Sequence, residues 1–267
     1  HRVHLHLPEA LAGVVADIKK QKPDHIALTG DLVNVALPQE FRRAADWLKG
    51  FDGPDRITVI PGNHDAYVHV AWKETMGLWG AYIAGDGAGP AGGFDVFPTL
   101  RRRGEIALIG LSTGVPKPPL LATGTLGDEQ IARTEKLLAD LGREGLCRVV
   151  LIHHPPLADQ SRWKHLTDTA AFQAMIRRVG CELILHGHNH RSEAARIDGP
   201  AGSVPVLGVT SASAAPDSKY GRARYHLIHI ERNADGWKLR VELRALNAAF
   251  DGCELDGELV FHSPAAH

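Results

Sequence analysis

Four short apolar runs constrain this chain more than anything else in it, because each stops on a cluster of Asp, Asn or His. Ile26-Ala27-Leu28 runs into Thr29-Gly30-Asp31, and Ile57 to Ile60 into Pro61-Gly62-Asn63-His64-Asp65. Val149 to Ile152 runs into His153-His154-Pro155-Pro156, and Leu183-Ile184-Leu185 into His186-Gly187-His188-Asn189-His190. A fifth run, Ile106 to Gly110, shares the cadence. Amphipathic segments separate the runs. Pro8 to Gln21 carries Leu11, Val14, Val15 and Ile18 on one stripe, and Pro38 to Gly50 carries Phe41, Ala44, Ala45 and Leu48. Two further helices are predicted over Asp128 to Leu141 and Asp168 to Val179. Short all-apolar runs alternating with helices mark strands buried on both faces of an α/β sheet. Parallel strands end on one side, so the polar clusters are expected to meet at the carboxyl ends, where open α/β sheets bind ligands.

The last third differs. Val204 to Val209, Tyr225 to Glu231 and Trp237 to Leu243 alternate, and Asn233-Ala234-Asp235-Gly236 reads as a hairpin turn. A mixed sheet with an antiparallel C-terminal portion follows. Residues 77–99 have no period and are rich in Gly, Pro and Ala, which predicts a surface insertion. A small cap over 66–100 on a single domain spanning 1–267 fits that reading.

Composition narrows the function classes. The 267 residues carry a net charge of −1, against the strongly basic balance of a nucleic-acid footprint, so no nucleic-acid partner is expected. No stretch approaches the roughly 18 consecutive apolar residues of a membrane span. Cys147, Cys181 and Cys253 are odd in number and far apart, which predicts buried thiols in a reducing, cytoplasmic setting. The 16 histidines point to metal or proton-transfer chemistry. The chain opens at His1 without methionine, and encoded residues are expected upstream. One Asp, one Asn and several His at strand ends form an O/N donor set suited to Zn, Mn, Fe or Co.

In this order, Gly30-Asp31, Gly62-Asn63-His64-Asp65, His153-His154-Pro155-Pro156 and Gly187-His188-Asn189-His190 resemble the motif series of the calcineurin-like metallophosphoesterases. The wording Leu28 to Asn34 and Val59 to Asp65 is similar to the bacterial phosphodiesterase branch, with its cyclic-nucleotide phosphodiesterases, glycerophosphodiesterases and C-type phospholipases. The likeness runs from about residue 24 to 213 and includes four of the family's five motifs. It implies a four-layer αββα sandwich with mixed sheets and two divalent ions (Mn²⁺, Zn²⁺, Fe²⁺ or Co²⁺). It also implies phosphodiester hydrolysis by a hydroxide bridging them. By the same resemblance Asp31 bridges both ions, Asn63, His153 and His188 complete one, His190 belongs to the other, and His64 donates a proton to the leaving group.

The fifth motif, Asp-x-His on the first strand, is not found. His4-Leu5-His6 has its spacing with His in place of Asp, and reads either as a substitute or as a polar lead-in. The implied substrate is a small phosphodiester or lipid headgroup: a phospholipid, a glycerophosphodiester or a cyclic nucleotide. A monoesterase, a nuclease and a metal-poor protein-interaction scaffold of the same fold are the alternatives.

Neighbouring residues carry lesser expectations. His154 contacts substrate or supports a ligand, and His186 is either such a support or a buried strand histidine. Asp65 orients His64 or another ligand, or caps its turn. Asn34 caps the local turn. Tyr67, Lys164 and His165 read as surface residues, with substrate contact as the alternative, and Arg101-Arg102-Arg103 as a solvated strand flank, with an anionic-substrate role as the alternative.

Overall fold

The computed structural model describes residues 6–66, 71–116, 121–216 and 218–264; His4 and Tyr67 lie outside them. In chain order the elements are α1 (Pro8–Gln21), β1 (Ile26–Leu28), α2 (Pro38–Phe51), β2 (Ile57–Val59), α3 (Gly80–Ile83), β3 (Thr99–Arg103) and β4 (Ile106–Gly110). There follow α4 (Asp128–Arg143), β5 (Cys147–Ile152), α5 (Thr169–Val179), β6 (Leu183–His186), β7 (Glu193–Gly199), β8 (Gly202–Gly208), β9 (Arg224–Asn233), β10 (Gly236–Leu246) and β11 (Cys253–Pro264). The chain divides into two compact units. One holds His25–His188 and Arg196–Val206, the other His1–Asp24, Asn189–Ala195 and Leu207–Ala265.

In the first of these units β1 and β2 pair in parallel, and β3-β4-β5-β6 lie side by side as part of a mixed six-stranded sheet whose order ends in β8-β7. Strands β4, β5 and β6 are parallel, and β5 is buried at every position, which is why its sequence is apolar without alternation. Helices α2, α4 and α5 each bury one stripe: Phe41, Leu48 and Phe51; Ile131, Leu138 and Leu141; Phe172, Met175 and Ile176. Each such side chain contributes roughly 1.5–3 kcal/mol. Arg148 and Glu182 form a buried ion pair of 2.7 Å, and the same guanidinium donates to the carbonyls of Leu138 and Val179, which ties α4 and α5 to the sheet.

Two expectations fail here. The 77–99 segment is not a surface insertion: Trp79, Ile83 and Phe97 are fully buried, and the Trp79 ring lies 5.4 Å from Phe41. Its 3-10 turns and the single turn of α3 repeat at neither 3.6 nor 2 residues, so a core-filling segment showed no period. Arg101-Arg102-Arg103 is strand β3 itself. Arg101 is 4% exposed and donates to the carbonyls of Ala81, Ala84 and Pro54, while Arg102 and Arg103 pair with Glu144 and Asp86.

Arg103 Nε donates to His25 Nδ1, so the imidazole proton sits on Nε2 and is given to the Thr58 hydroxyl. Burial, then the charges of Arg103 and Arg101, push this imidazole down to about 4. An unfolded chain takes up a proton near pH 6.5 that the folded one refuses until about pH 4, so stability falls as pH drops through that window. The loss is expected to be on the order of 1–2 kcal/mol after screening by solvent. Urea unfolding at pH 7 and pH 4.5 checks it, since His25→Gln should flatten that share of the slope.

In the other unit, β11, β10 and β9 form an antiparallel sheet, with the expected hairpin turn between β9 and β10. Helix α1 supplies Ala10 and Val14 to a core with Ala214, Ala223 and Leu246. Asp17, buried on that helix, accepts from Tyr225 and Arg244. No helix among the described residues is long and apolar enough to cross a membrane.

Candidate metal centre

Four strand ends of the His25–His188 unit deliver the cluster. The β1 chain reverses through Gly30 (φ +99°) and then Asp31, which itself adopts a left-handed backbone (φ +60°). A methyl group on Gly30 would strike Gly62 N and His153 Nδ1 at 2.5 and 2.7 Å, so the close approach of these loops requires glycine. His188, beyond β6, is also left-handed at φ +65°. Non-glycine residues rarely adopt this backbone, and such strain concentrates at functional sites.

Asp31, Asn63, His153 and His188 converge. Asn63 Oδ1 lies 3.1 Å from His153 Nε2 and 3.0 Å from His188 Nδ1, and Asp31 Oδ2 lies 3.4 Å from His153 Nε2. Donors bound at about 2.1 Å to one tetrahedral or octahedral ion stand roughly 3.0–3.4 Å apart. Among the described residues no three His, Cys, Asp or Glu form an ion-holding group by themselves, so Asn63 is what joins the three others into a donor set.

Protonation supports the fit. His153 Nδ1 faces the Thr29 carbonyl at 2.6 Å, and a carbonyl only accepts, so Nδ1 carries the proton. Once Nε2 gives up its proton, His153 turns a lone pair there toward the oxygens of Asn63 and Asp31. Three lone-pair atoms facing one another call for a proton or a cation between them. An imidazole whose far N–H is held by a backbone carbonyl is also the usual posture of a metal ligand. Burial opposes charging His153, but the carboxylate of Asp31 and its hydrogen bond prevail and raise its pKa. Against burial, His153 and then His64 hold the Asp31 carboxyl well below the usual range. Burial, with His154 and His153 nearby, keeps His188 neutral far below its ordinary value, and its Nε2 is buried without a hydrogen-bond partner. An ionised carboxylate and a neutral imidazole are the states metal ligation needs.

His64 flanks the cluster. Its backbone N–H donates to Asp31 Oδ1 at 2.9 Å, and its Nδ1 donates to the Asn34 carbonyl, leaving Nε2 as the atom that can exchange a proton. Asn34 meets His64 through its backbone carbonyl. Asp65 holds loops, not His64: its carboxylate accepts from the N–H groups of Asp31 (2.8 Å), Gly62 (2.8 Å) and Val33 (3.1 Å). Burial and the neighbouring Asp31 push it up to about 7.

His154 is fully buried, gives its Nε2 proton to the Ala122 carbonyl and accepts from the Thr113 hydroxyl at 2.6 Å. Its ring lies 5.0 Å from His153 and 4.3 Å from His188, which are themselves 5.2 Å apart, so the three imidazoles pack against one another. Burial and the charge of His153 push it down to about 3. His186 is a buried strand histidine donating to the Gly187 carbonyl. Lys164 is exposed. His190 falls in the other unit, left-handed at φ +54°, where its ring lies 6.1 Å from His6 and 5.9 Å from Tyr220.

The family model of the calcineurin-like phosphoesterases matches residues 4–192, more than half of the chain. The chain belongs to that family. The phosphoesterase is 27% identical over 191 residues to the glycerophosphodiester phosphodiesterase GpdQ of Enterobacter lignolyticus; the match covers 67% of this chain and 61% of that protein, less than two-thirds of its length. A dimetal phosphatase from Danio rerio has the same fold, with a TM-score of 0.61 at 12% identity, over 94% of this chain and 88% of that one. The mixed α/β arrangement with an antiparallel C-terminal sheet is the family's architecture, and membership implies divalent metal ions.

Three residues near this cluster escaped sequence reasoning. Thr113 closes the apolar run of β4 just as the histidines close theirs, and that position was the available signal. Gly124 packs onto His154, where a methyl group would meet the ring; nothing local marks it. Glu40, at the third position of α2 after Leu37-Pro38, carries the ordinary helix-start pattern and gave no hint of a second task.

Proposed function

We propose that this chain is a metal-dependent phosphodiesterase in which Asp31, Asn63, His153 and His188 hold a divalent ion, His190 is a ligand of a second, and His64 is the proton donor. The convergence of four side chains, linked by three contacts of 3.0–3.4 Å through Asn63 Oδ1 and His153 Nε2, carries the reading. Bound ions would supply Lewis-acid charge stabilisation of the phosphoryl oxygens and a water nucleophile at neutral pH. The chain's own residues do the rest. Asp31 keeps its charge through His153 and fixes the backbone of His64. Nδ1 of His64 stays protonated against the Asn34 carbonyl, so Nε2 gives its proton to the departing alcohol oxygen. Asp65 clamps the β1 and β2 loops together, and His154 packs against the rings of both His153 and His188.

A diester substrate, and among diesters a glycerophosphodiester, is supported by the relative's named activity. The test is hydrolysis of bis(4-nitrophenyl) phosphate, 4-nitrophenyl phosphate and glycerophosphoethanolamine by chelator-stripped protein with and without Mn²⁺ or Zn²⁺. Metal-dependent turnover of both diesters ahead of the monoester is expected, with His64→Ala lowering turnover of the glycerol diester about 10²–10⁴-fold. Preference for the monoester would make the protein a monoesterase. Absence of turnover on all three would leave a scaffold.

A further inference from the structure

The loop of residues 33–37 carries a feature that ligand binding does not require. Glu40, in the first turn of α2, folds back so that one carboxylate accepts three backbone N–H groups: Leu37 at 2.9 Å and Val35 at 3.1 Å on Oε2, and Asn34 at 3.3 Å on Oε1. Capping the helix needs only the bond to Leu37. The other two hold a loop in which Ala36 takes a left-handed backbone at φ +58°. Val33 and Ala36 are buried and anchor the loop to the core, while Asn34, Val35 and Leu37 between and beyond them are exposed and have their backbone N–H groups held by the Glu40 carboxylate. At one end of the clasped loop is the Asn34 carbonyl, which accepts the Nδ1 proton of His64.

We infer that Glu40 is a positioning residue for His64: by clasping the Asn34–Leu37 loop it places the Asn34 carbonyl, and that carbonyl sets the tautomer and aim of the imidazole. The inference rests on the proposed role of His64 as proton donor. The hydrogen bonds of Glu40 go to the loop backbone and not to the ion-binding donors, so its effect passes through proton donation. A nitrophenolate leaves without a proton, whereas the alkoxide of a glycerophosphodiester needs one. Loss of the clasp is therefore selective between the two.

The experiment measures kcat and KM of the Mn²⁺-loaded chain on bis(4-nitrophenyl) phosphate and on glycerophosphoethanolamine. Glu40→Ala is expected to lower kcat on the glycerol diester by about tenfold or more while leaving its KM and the aryl diester within about twofold. Glu40→Gln, which keeps one accepting oxygen, should fall between, and it is read by the same measures if Glu40→Ala does not fold. Placed in His64→Ala, the Glu40→Ala change should cost nothing further, because the two residues act as one unit. Independently of activity, ¹⁵N-histidine spectra of the metal-free chain should show the Nδ1–H tautomer for His64 in the wild type and a mixture in Glu40→Ala. Equal losses on both substrates, losses that add to those of His64→Ala, or an unchanged tautomer would reduce Glu40 to a helix cap. A wild type that hydrolyses both diesters alongside an indistinguishable Glu40→Ala overturns this inference alone. A wild type that hydrolyses neither overturns the phosphodiesterase reading and this inference with it.

Discussion

Asp31→Ala is expected to lower metal-dependent diester hydrolysis by on the order of 10³-fold or more, the largest effect of any single substitution in this chain. A bound cation is worth several kcal/mol of transition-state stabilisation, and each 1.4 kcal/mol is a factor of ten in rate. The Asp31 carboxylate lies 3.4 Å from His153, and it also receives the backbone N–H of His64. Its loss weakens the ion site and loosens the proton donor together. Asp31→Asn separates the two roles, since an amide oxygen can still accept from His64 but brings no charge to the ion. Calorimetric Mn²⁺ titration alongside kcat should show both variants deficient in metal affinity, with Asp31→Asn closer to wild type in thermal stability. Activity of Asp31→Ala within tenfold of wild type would sink the assignment.

Gly62→Ala is expected to damage the same site by packing alone. A methyl group there would lie on the Asp31 carboxylate, with the Asp31 backbone N at 2.6 Å and the His153 ring at 2.7 Å. None of these is the far end of a flexible side chain, and Gly62 N–H is itself held by Asp65. The β1 and β2 loops must therefore separate. Overpacking of this kind costs about 1–3 kcal/mol and forces shifts in the backbone. Turnover should fall nearly as far as in Asp31→Ala, but with a lowered urea midpoint that Asp31→Asn does not share. Wild-type stability and turnover in Gly62→Ala would mean that the loops approach less closely than described.

Much of the fold was legible because apolar periodicity reports burial directly. Helix α1 occupies the predicted Pro8–Gln21, and β1 and β4 fall on the predicted runs. The three strands that went unread share a reason. Arg101 in β3 is buried by satisfying carbonyls rather than by being apolar, and β7 and β11 are largely exposed and rich in charge. Of the site, Asp31, Asn63, His153 and His188 were legible as strand-end residues, and the structure brings these four together.

By itself the sequence determined the strand-and-helix cadence, the family and the polar residues at the strand ends, since these depend on residue type and local spacing. Only the tertiary structure decided what each donor atom faces. Which His153 nitrogen carries the proton is settled by the Thr29 carbonyl, 124 residues away in sequence. Asp65 proved to be a loop clamp, and Glu40 reaches His64 only through a backbone carbonyl that no side-chain pattern encodes. Hydrogen bonds to backbone groups leave no mark on residue type, because every residue but proline offers the same donor and acceptor.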